Sequence, residues 1–422
     1  MWTNWARTAS ATPHRVARPT SIDGIAAAVT SAPAVRPRGS GHSFTDIAVA
    51  PGVALDLDRW TGVVEVSGTL ATVRSGTTLR TLGAALDTVG LALENLGDID
   101  AQTVAGALST GTHGTGARFG GLATQVVALE LVLADGSHVR CSAAENPALF
   151  DAARIGLGAL GVITTVTLRC VPAFTLHARE YPDRLDAVLD GFDHLTATED
   201  HVEFHWFPHG DRVLVKRNNR VDGPPAPLSA ARRFYEYEVV ENGAFGLICG
   251  IARHLPRTTR PLGRLCGVLL SGRDYRDVSH RVFVTPRRVR FVESEYAVPR
   301  ESLHDVLREL RTAVDRLDHG VIVPVEVRVA AGDDIWLSTA YGRDTAYVAV
   351  HQALGMPYRR YFEAFAKIAG AVGGRPHWGK LHGLTAPDLR ERYPRFDDFR
   401  RVRAEVDPGG RFGNAYLDRV LG

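Results

Sequence analysis

The chain has 422 residues, 45% hydrophobic and 23% charged, which is the composition of a globular protein of two or three domains and excludes large-scale disorder. Basic residues outnumber acidic ones by only 49 to 47, so no global field draws the chain to nucleic acid or anionic lipid. No apolar run reaches the roughly 18 residues a bilayer span needs, and Trp2, Arg7, His14 and Arg15 stand where a signal peptide needs an apolar core, so a cytoplasmic protein is expected.

Residues 1–174 read as an α+β domain of short strands punctuated by glycine. Runs 53–58, 63–66, 70–74 and 126–133 have strand character, and Ser67-Gly68 and Asp135-Gly136 supply hairpin turns. Two helices interrupt them, 21–31 opened by Ser21 and 77–89 stopped by Gly90. Between these elements, the Gly39-Ser40-Gly41 turn after Val35 delivers His42 and Ser43 with consecutive backbone N–H groups, a nest suited to pyrophosphate. Residues 105–116 carry four glycines, three threonines, Ser109 and His113 with little to pack a core, a composition for backbone contact with a polar ligand. The pattern G-x-G-x-x-G occurs at 156–161, but it precedes a strand instead of following one, which rules out a nicotinamide-type site there.

Residues 175–355 repeat a strand-helix-strand texture: 175–180, 203–207, 212–217, 289–298, 321–330 and 344–353 as strands, 182–192 and 300–316 as helices. A sheet with helices on one face fits this order. Residues 218–288, Pro-rich and then Arg-rich, read as an insertion without assigned elements. Within the strand at 321–330, Glu326 and Arg328 are two apart and so share a face flanked by valines; they make either a cross-strand ion pair or a polar patch roofing a ligand pocket. His351 on the next strand could share that face.

Residues 356–422 form a C-terminal segment expected to return to the first domain. After a helix at 358–371 comes His377-Trp378-Gly379-Lys380. Only Lys216, Lys367 and Lys380 are lysine in an arginine-rich chain. A compact ammonium directed at developing negative charge is a specific reason to keep one. The four cysteines lie far apart without a C-x-x-C pair, so neither a disulfide framework nor a zinc site is expected.

Taken together, GSGHSFTDIA (39–48), NLGDID and GALSTGTHGTG (95–116), LGALGVIT (157–164), EYAVPRE (295–301), PVEVRV (324–329) and RPHWGKLH (375–382) resemble the FAD-dependent sugar-lactone oxidoreductases of the vanillyl-alcohol oxidase superfamily. That family includes L-gulono-1,4-lactone oxidases and dehydrogenases, D-arabinono-1,4-lactone oxidase and alditol oxidase, and the bacterial L-gulono-1,4-lactone dehydrogenase type is the nearest in likeness. The resemblance implies a two-subdomain FAD domain of the vanillyl-alcohol oxidase/p-cresol methylhydroxylase type, and an α+β cap with an antiparallel sheet over the flavin. It also implies FAD bound covalently and singly through His42. Arg38, Gly39, Ser40, Gly41, Ser43 and Phe44, with Thr103, Gly106, Ser109, Thr110, Gly111, His113, Gly114 and Thr115, would hold the cofactor, while Gly161, Val162 and Ile163 approach it by backbone. Glu326 and Arg328 would contact substrate and Lys380 would lie beside the flavin. Hydride would pass from a carbinol carbon to the flavin, the electrons then going to O2, a dye or a cytochrome. Glu326, His351, His377 and Lys380 are all candidates to take the hydroxyl proton. A polyol oxidase, or a flavin-binding protein without turnover, are the competing readings.

Overall fold

A computed structural model describes all 422 residues. Near the N-terminus the strands Arg15–Ala17 and Val35–Arg38 flank Val53–Asp56, both parallel to it. The helix Ile22–Thr30, capped by the Ser21 hydroxyl accepting from the Gly24 N–H, crosses between them. This small βαβ unit lies beside the antiparallel sheet that the hairpins predict, of order 138–142, 126–132, 162–169, 70–74, 63–67. Gly68 and Gly136 take the positive φ their turns require. The cleft-forming turn at 39–44 thus leaves the carboxyl end of a parallel strand, where open α/β sheets present ligands.

The cap is one eight-stranded sheet, antiparallel throughout, of order 273–278, 175–184, 212–221, 201–206, 325–330, 345–353, 291–299, 375–376. Its two faces differ because its strands alternate. Val202, Phe204, Trp206, Val325, Val327 and Val329 point one way, into a core closed by the helices Leu185–Thr198, Leu303–Asp315 and Arg359–Ala371. Glu203, His205, Glu326 and Arg328 alternate with them and are buried on the other face.

Several element bounds differ from the sequence reading for local reasons. The strand expected at 321–330 starts at Val325, since Pro324 has no N–H for the ladder. The strand 175–184 runs on through Pro182, because its neighbour Arg273–Val278 pairs only as far as Glu180 and leaves that side without a ladder bond to lose. The helix expected from 182 therefore begins at Leu185. The insertion at 218–288 extends one strand to Val221, forms an uninterrupted helical run Ala230–His254 and a helix Thr259–Val268, and supplies the edge strand Arg273–Val278. Leu389, Phe396, Phe399, Tyr416 and Leu417 of the C-terminal helices enter the same core as Leu82, Leu108, Leu131 and Val166. No helix is long and apolar enough to cross a membrane.

Buried polar side chains tie these layers together. The Arg36 guanidinium donates to the carbonyls of Ile47 (2.7 Å), Leu157 (2.6 Å), Gly158 (2.7 Å) and Phe412 (2.8 Å). It joins the first strands, the glycine-rich 156–161 loop and the C-terminus, and burial lowers its pKa to about 9. His201 connects the cap to the first domain. Its Nδ1 lies 2.8 Å from the Thr115 carbonyl and its ring stacks on Phe119 at 4.5 Å, with no exposed surface. Burial lowers its pKa to about 4 despite that hydrogen bond, against about 6.5 for a free imidazole. The unfolded chain therefore takes up this proton first as pH falls. The stability His201 contributes is intact above about pH 6.5 and is lost as pH drops from there towards 4, at up to about 1.4 kcal/mol per pH unit. His201→Gln should lower the melting temperature at pH 7 and flatten its fall between pH 6.5 and 4, as thermal scans across that range would show.

Candidate active site

A cleft of about 500 Å³ opens between the two sheets of the first domain, within the size range of small-molecule sites. Arg38, Gly39, Ser40, Gly41, His42 and Ser43 line one wall, Thr103, Gly106, Ser109 and Thr110 another, and Gly161, Val162 and Ile163 a third. The glycines are required by packing. A Cβ at Gly39 or Gly106 would lie 2.5 or 2.9 Å from the Thr103 hydroxyl, and Gly41, at φ +76°, would press a Cβ to 3.1 Å from Trp2. Backbone therefore faces the cleft. Arg38 is held by Asp56 and keeps its Nη1 buried without a partner, a free donor for an anion. Glycine-formed walls, hydroxyls and one unsatisfied guanidinium fit the diphosphate of a dinucleotide such as FAD.

Gly111, His113, Gly114 and Thr115 do not line this cleft. The chain turns at Gly111, φ +74°, and the remainder faces the cap. A Cβ at Gly114 would meet Asn95 Oδ1 at 2.3 Å, while the Thr115 hydroxyl donates to the Val202 carbonyl at 2.5 Å. His113 stacks on Tyr347 at 3.5 Å with its Nε2 2.8 Å from Glu295. His113 and Thr115 thus fasten the first domain to the cap sheet.

The charged face of that sheet forms a row set by strand register. Arg328 lies opposite Glu203, Glu203 opposite Lys216, Lys216 opposite Glu180, and Glu180 opposite Arg273, so charges alternate across five strands. Arg328 Nε is 2.7 Å from Glu203, its guanidinium also pairs with Glu326, and Asp98 approaches at 3.7 Å. Burial would lower the Arg328 pKa, but Glu203 and Glu326 hold it well above the usual value. Burial would raise Glu326, but Arg328 pulls it well below. Both groups are therefore fixed in their charged forms.

At the other end of this face stand Glu293 and Glu295. The Lys380 ammonium is 2.6 Å from Glu293 and 3.8 Å from Glu295. Burial disfavours that ammonium, and Glu293 then Glu295 more than offset it, so its pKa is raised. These carboxylates favour the ammonium form and make Lys380, one of the candidate proton acceptors, a poor base. His351 shares the face: its Nδ1 lies 2.8 Å from the Pro324 carbonyl and its Nε2 3.4 Å from Glu293. His377 accepts the Gly379 N–H at Nδ1, and burial lowers its pKa to about 4. Its neutral ring then carries its proton on Nε2 and has no free lone pair, which removes it as a proton acceptor.

The cleft and the charged face meet at His42. The Phe44 N–H donates to the Gly379 carbonyl at 2.7 Å, joining the 39–44 turn to the HWGK segment. Lys380 lies 5.1 Å over the Phe44 ring. His42 stacks on Trp5 at 5.9 Å, Trp5 meets Phe291 edge-on at 5.2 Å, and Phe291 meets His351 at 5.0 Å. Burial and then the Lys380 charge lower the His42 pKa, which keeps the ring neutral and nucleophilic at neutral pH. Glu203, His205, Glu293, Trp5 and Phe291 escape the sequence reading. Alternation in the strand beginning at His201 and in Glu293-Ser294-Glu295 could have pointed to the carboxylates, and the scarcity of lysine could have pointed to Lys216.

The FAD binding domain profile matches residues 13–142, and the D-arabinono-1,4-lactone oxidase profile matches residues 166–420. The chain is 44% identical to the L-gulono-1,4-lactone dehydrogenase of Mycobacterium tuberculosis H37Rv over 100% of this chain and 99% of that protein. It is 37% identical to the L-gulonolactone oxidase of Bos taurus, over 99% and 97%, and 35% identical to the alditol oxidase of a Streptomyces species, over 99% and 98%. Among solved structures, a solvent-stable cholesterol oxidase aligns with TM-score 0.83 at 18% identity, covering 100% of this chain and 97% of that one. This likeness establishes that the chain shares the fold of that oxidase.

Glu203 is the anion between two buried cations, Arg328 and Lys216, the latter 3.3 Å away. Removing it leaves both without their shared counter-charge, a loss of about 3–5 kcal/mol. Glu203→Ala should lower the unfolding free energy of the flavin-loaded protein, read from urea titration, by that amount, with Glu203→Gln lowering it less. A loss below about 1 kcal/mol would mean that water, not Glu203, compensates the two cations.

Proposed function

This chain belongs to the D-arabinono-1,4-lactone oxidase family of FAD-dependent oxidoreductases, and from that premise we propose that it oxidises a carbinol carbon of an aldonolactone of the L-gulono- or D-arabinono-1,4-lactone type. FAD would lie in the cleft formed by 38–43, 103–110 and 157–163, attached covalently through His42. The observation that carries this reading is the convergence of the His42 turn, Lys380 and the Glu326–Arg328 face through the Phe44–Gly379 hydrogen bond and the Trp5–Phe291–His351 contacts.

When bound, FAD supplies the two-electron acceptor for the carbinol C–H. The chain's own groups do the rest. Arg328, held cationic by Glu203, Glu326 and Asp98, polarises the lactone carbonyl oxygen. Glu326, held anionic by Arg328, accepts a hydrogen bond from a substrate hydroxyl and orients the ring. Lys380 presents a fixed positive charge where negative charge develops. The hydroxyl proton goes to His351. Its Nδ1–H donates to the Pro324 carbonyl and leaves an Nε2 lone pair, while Glu293 stands 3.4 Å away to stabilise the imidazolium. Glu326 and Lys380, each locked in its charged form, are poorer acceptors, and His377 has no free lone pair.

Two measurements test this. Anaerobic mixing with L-gulono-1,4-lactone or D-arabinono-1,4-lactone should bleach the flavin within a turnover, while xylitol or sorbitol should do so much more slowly. The reverse order would assign the chain to the polyol branch. Lys380→Met should slow that reduction by on the order of 10²-fold with little change in lactone affinity. Acid precipitation should leave yellow colour in the pellet of the parent and release it from His42→Ala. Colour released from both would remove the covalent link.

A further inference from the structure

The insertion at 230–272 gathers most of the large apolar side chains found on the surface. Ten of the sixteen large hydrophobic residues exposed anywhere on the molecule lie between Phe234 and Leu269. Monomeric soluble proteins rarely expose contiguous patches of this kind unless something covers them.

Helix geometry concentrates these residues on one side. The run Ala230–His254 is α-helical at both ends and π-helical over Phe234–Ala244. Tyr237, Cys249 and Ala252 face inward, the latter two onto Ile322, Val323 and Met356 of the cap. Tyr235, Val239, Leu247, Ile251 and Leu255 face solvent. On an unbroken α-helix Val239 and Leu247 would lie about 80° apart around the axis. The wider π turns advance less per residue and bring the two halves of the stripe into line. The next helix adds Val268 and Leu269, more than 65% exposed.

Charge is segregated along the same segment. From Asn242 to Gly272 there is no aspartate or glutamate, while Arg253, Arg257, Arg260 and Arg264 are all basic. The acids just before it, Glu236, Glu238 and Glu241, are each paired with an arginine. Arg233, Arg253 and Arg257 are exposed and form no ion pair. An amphipathic helix with an apolar stripe flanked by unpaired arginines matches the interface of an anionic bilayer, where side chains such as Leu247 enter the acyl boundary and arginines meet lipid phosphates. A second copy is a poor occupant, because a two-fold contact would set this basic face against itself.

We propose that the 230–269 face docks the protein peripherally on an anionic phospholipid bilayer, without any segment crossing it. Sedimentation of the flavin-loaded full chain with vesicles of phosphatidylglycerol and phosphatidylcholine, against phosphatidylcholine alone, is the test. Binding should require the anionic lipid and weaken at about 0.5 M NaCl. The double substitution Leu247→Asp, Ile251→Asp should reduce it at least about tenfold, and Arg253→Ser with Arg257→Ser by about fivefold per arginine. The substituted side chains are exposed, so flavin content, melting temperature and turnover in buffer should be unchanged in these variants. Equal sedimentation with both vesicle types, absence of binding to either, or binding untouched by the substitutions would overturn the proposal. So would a dimer of the parent that Leu247→Asp dissociates, which would assign the face to a second copy.

Discussion

The structure depends on one sheet face that carries buried charge. An antiparallel sheet can leave one face to water, yet here the face holding Glu180, Glu203, Lys216, Glu293, Glu295, Glu326 and Arg328 is buried along with the apolar one. Charges removed from water are tolerable only when each has a partner at hydrogen-bonding range. Strand register meets that demand by setting opposite signs across each ladder step from Arg328 to Arg273. The first domain meets it at the other end by contributing His113 to Glu295, and the C-terminal segment by contributing Lys380 to Glu293. Closure of the cap on the first domain and fixation of the site are thus the same set of ion pairs.

This arrangement bears on chemistry as well as stability. Under the proposed function, Arg328 and Glu326, each held in its charged form by a network that spans several strands, would present a permanent dipole to a bound sugar. Such preorganised charges need no reorientation when negative charge develops on substrate. Under the proposed function, proton transfer would fall to a group outside the row, His351, whose partners are one carbonyl and one carboxylate at 3.4 Å.

Much of this was legible in the sequence because the signals are local. Val325-Glu326-Val327-Arg328 alternates with period two and so declares a sheet with one charged face, and the Gly39-Ser40-Gly41 turn declares backbone held open for an anion. Of the two readings of Glu326 and Arg328, the cross-strand ion pair is present, made by Arg328 with Glu203. Partners fixed only by strand order were not legible: Glu203 belongs to a strand more than a hundred residues before Arg328, and nothing in EFHWF says which neighbour it will face. The glycine-rich 105–116 segment misled in its second half, since Gly111 and Gly114 have the composition of a ligand loop but serve a tight turn and a close approach to Asn95. Of three lysines, Lys216 and Lys380 both lie on the charged sheet face and only Lys367 is exposed.

Whole-chain averages conceal more than local motifs do. A surplus of two positive charges over 422 residues predicts indifference to anionic surfaces, and for a uniform distribution that inference is sound. The distribution is not uniform. The active face draws carboxylates inward to neutralise Arg328, Lys216, Arg273 and Lys380, while the insertion beyond Asn242 holds arginines with no acid for thirty-one residues. Fields from exposed charges fade within about 8 Å at physiological salt, so an encounter at the insertion reads the local arginines and not the total. The same sequence can then bury a balanced set of charges around a sugar site and present an unbalanced set outward, with each surface governed by the charges within a Debye length of it.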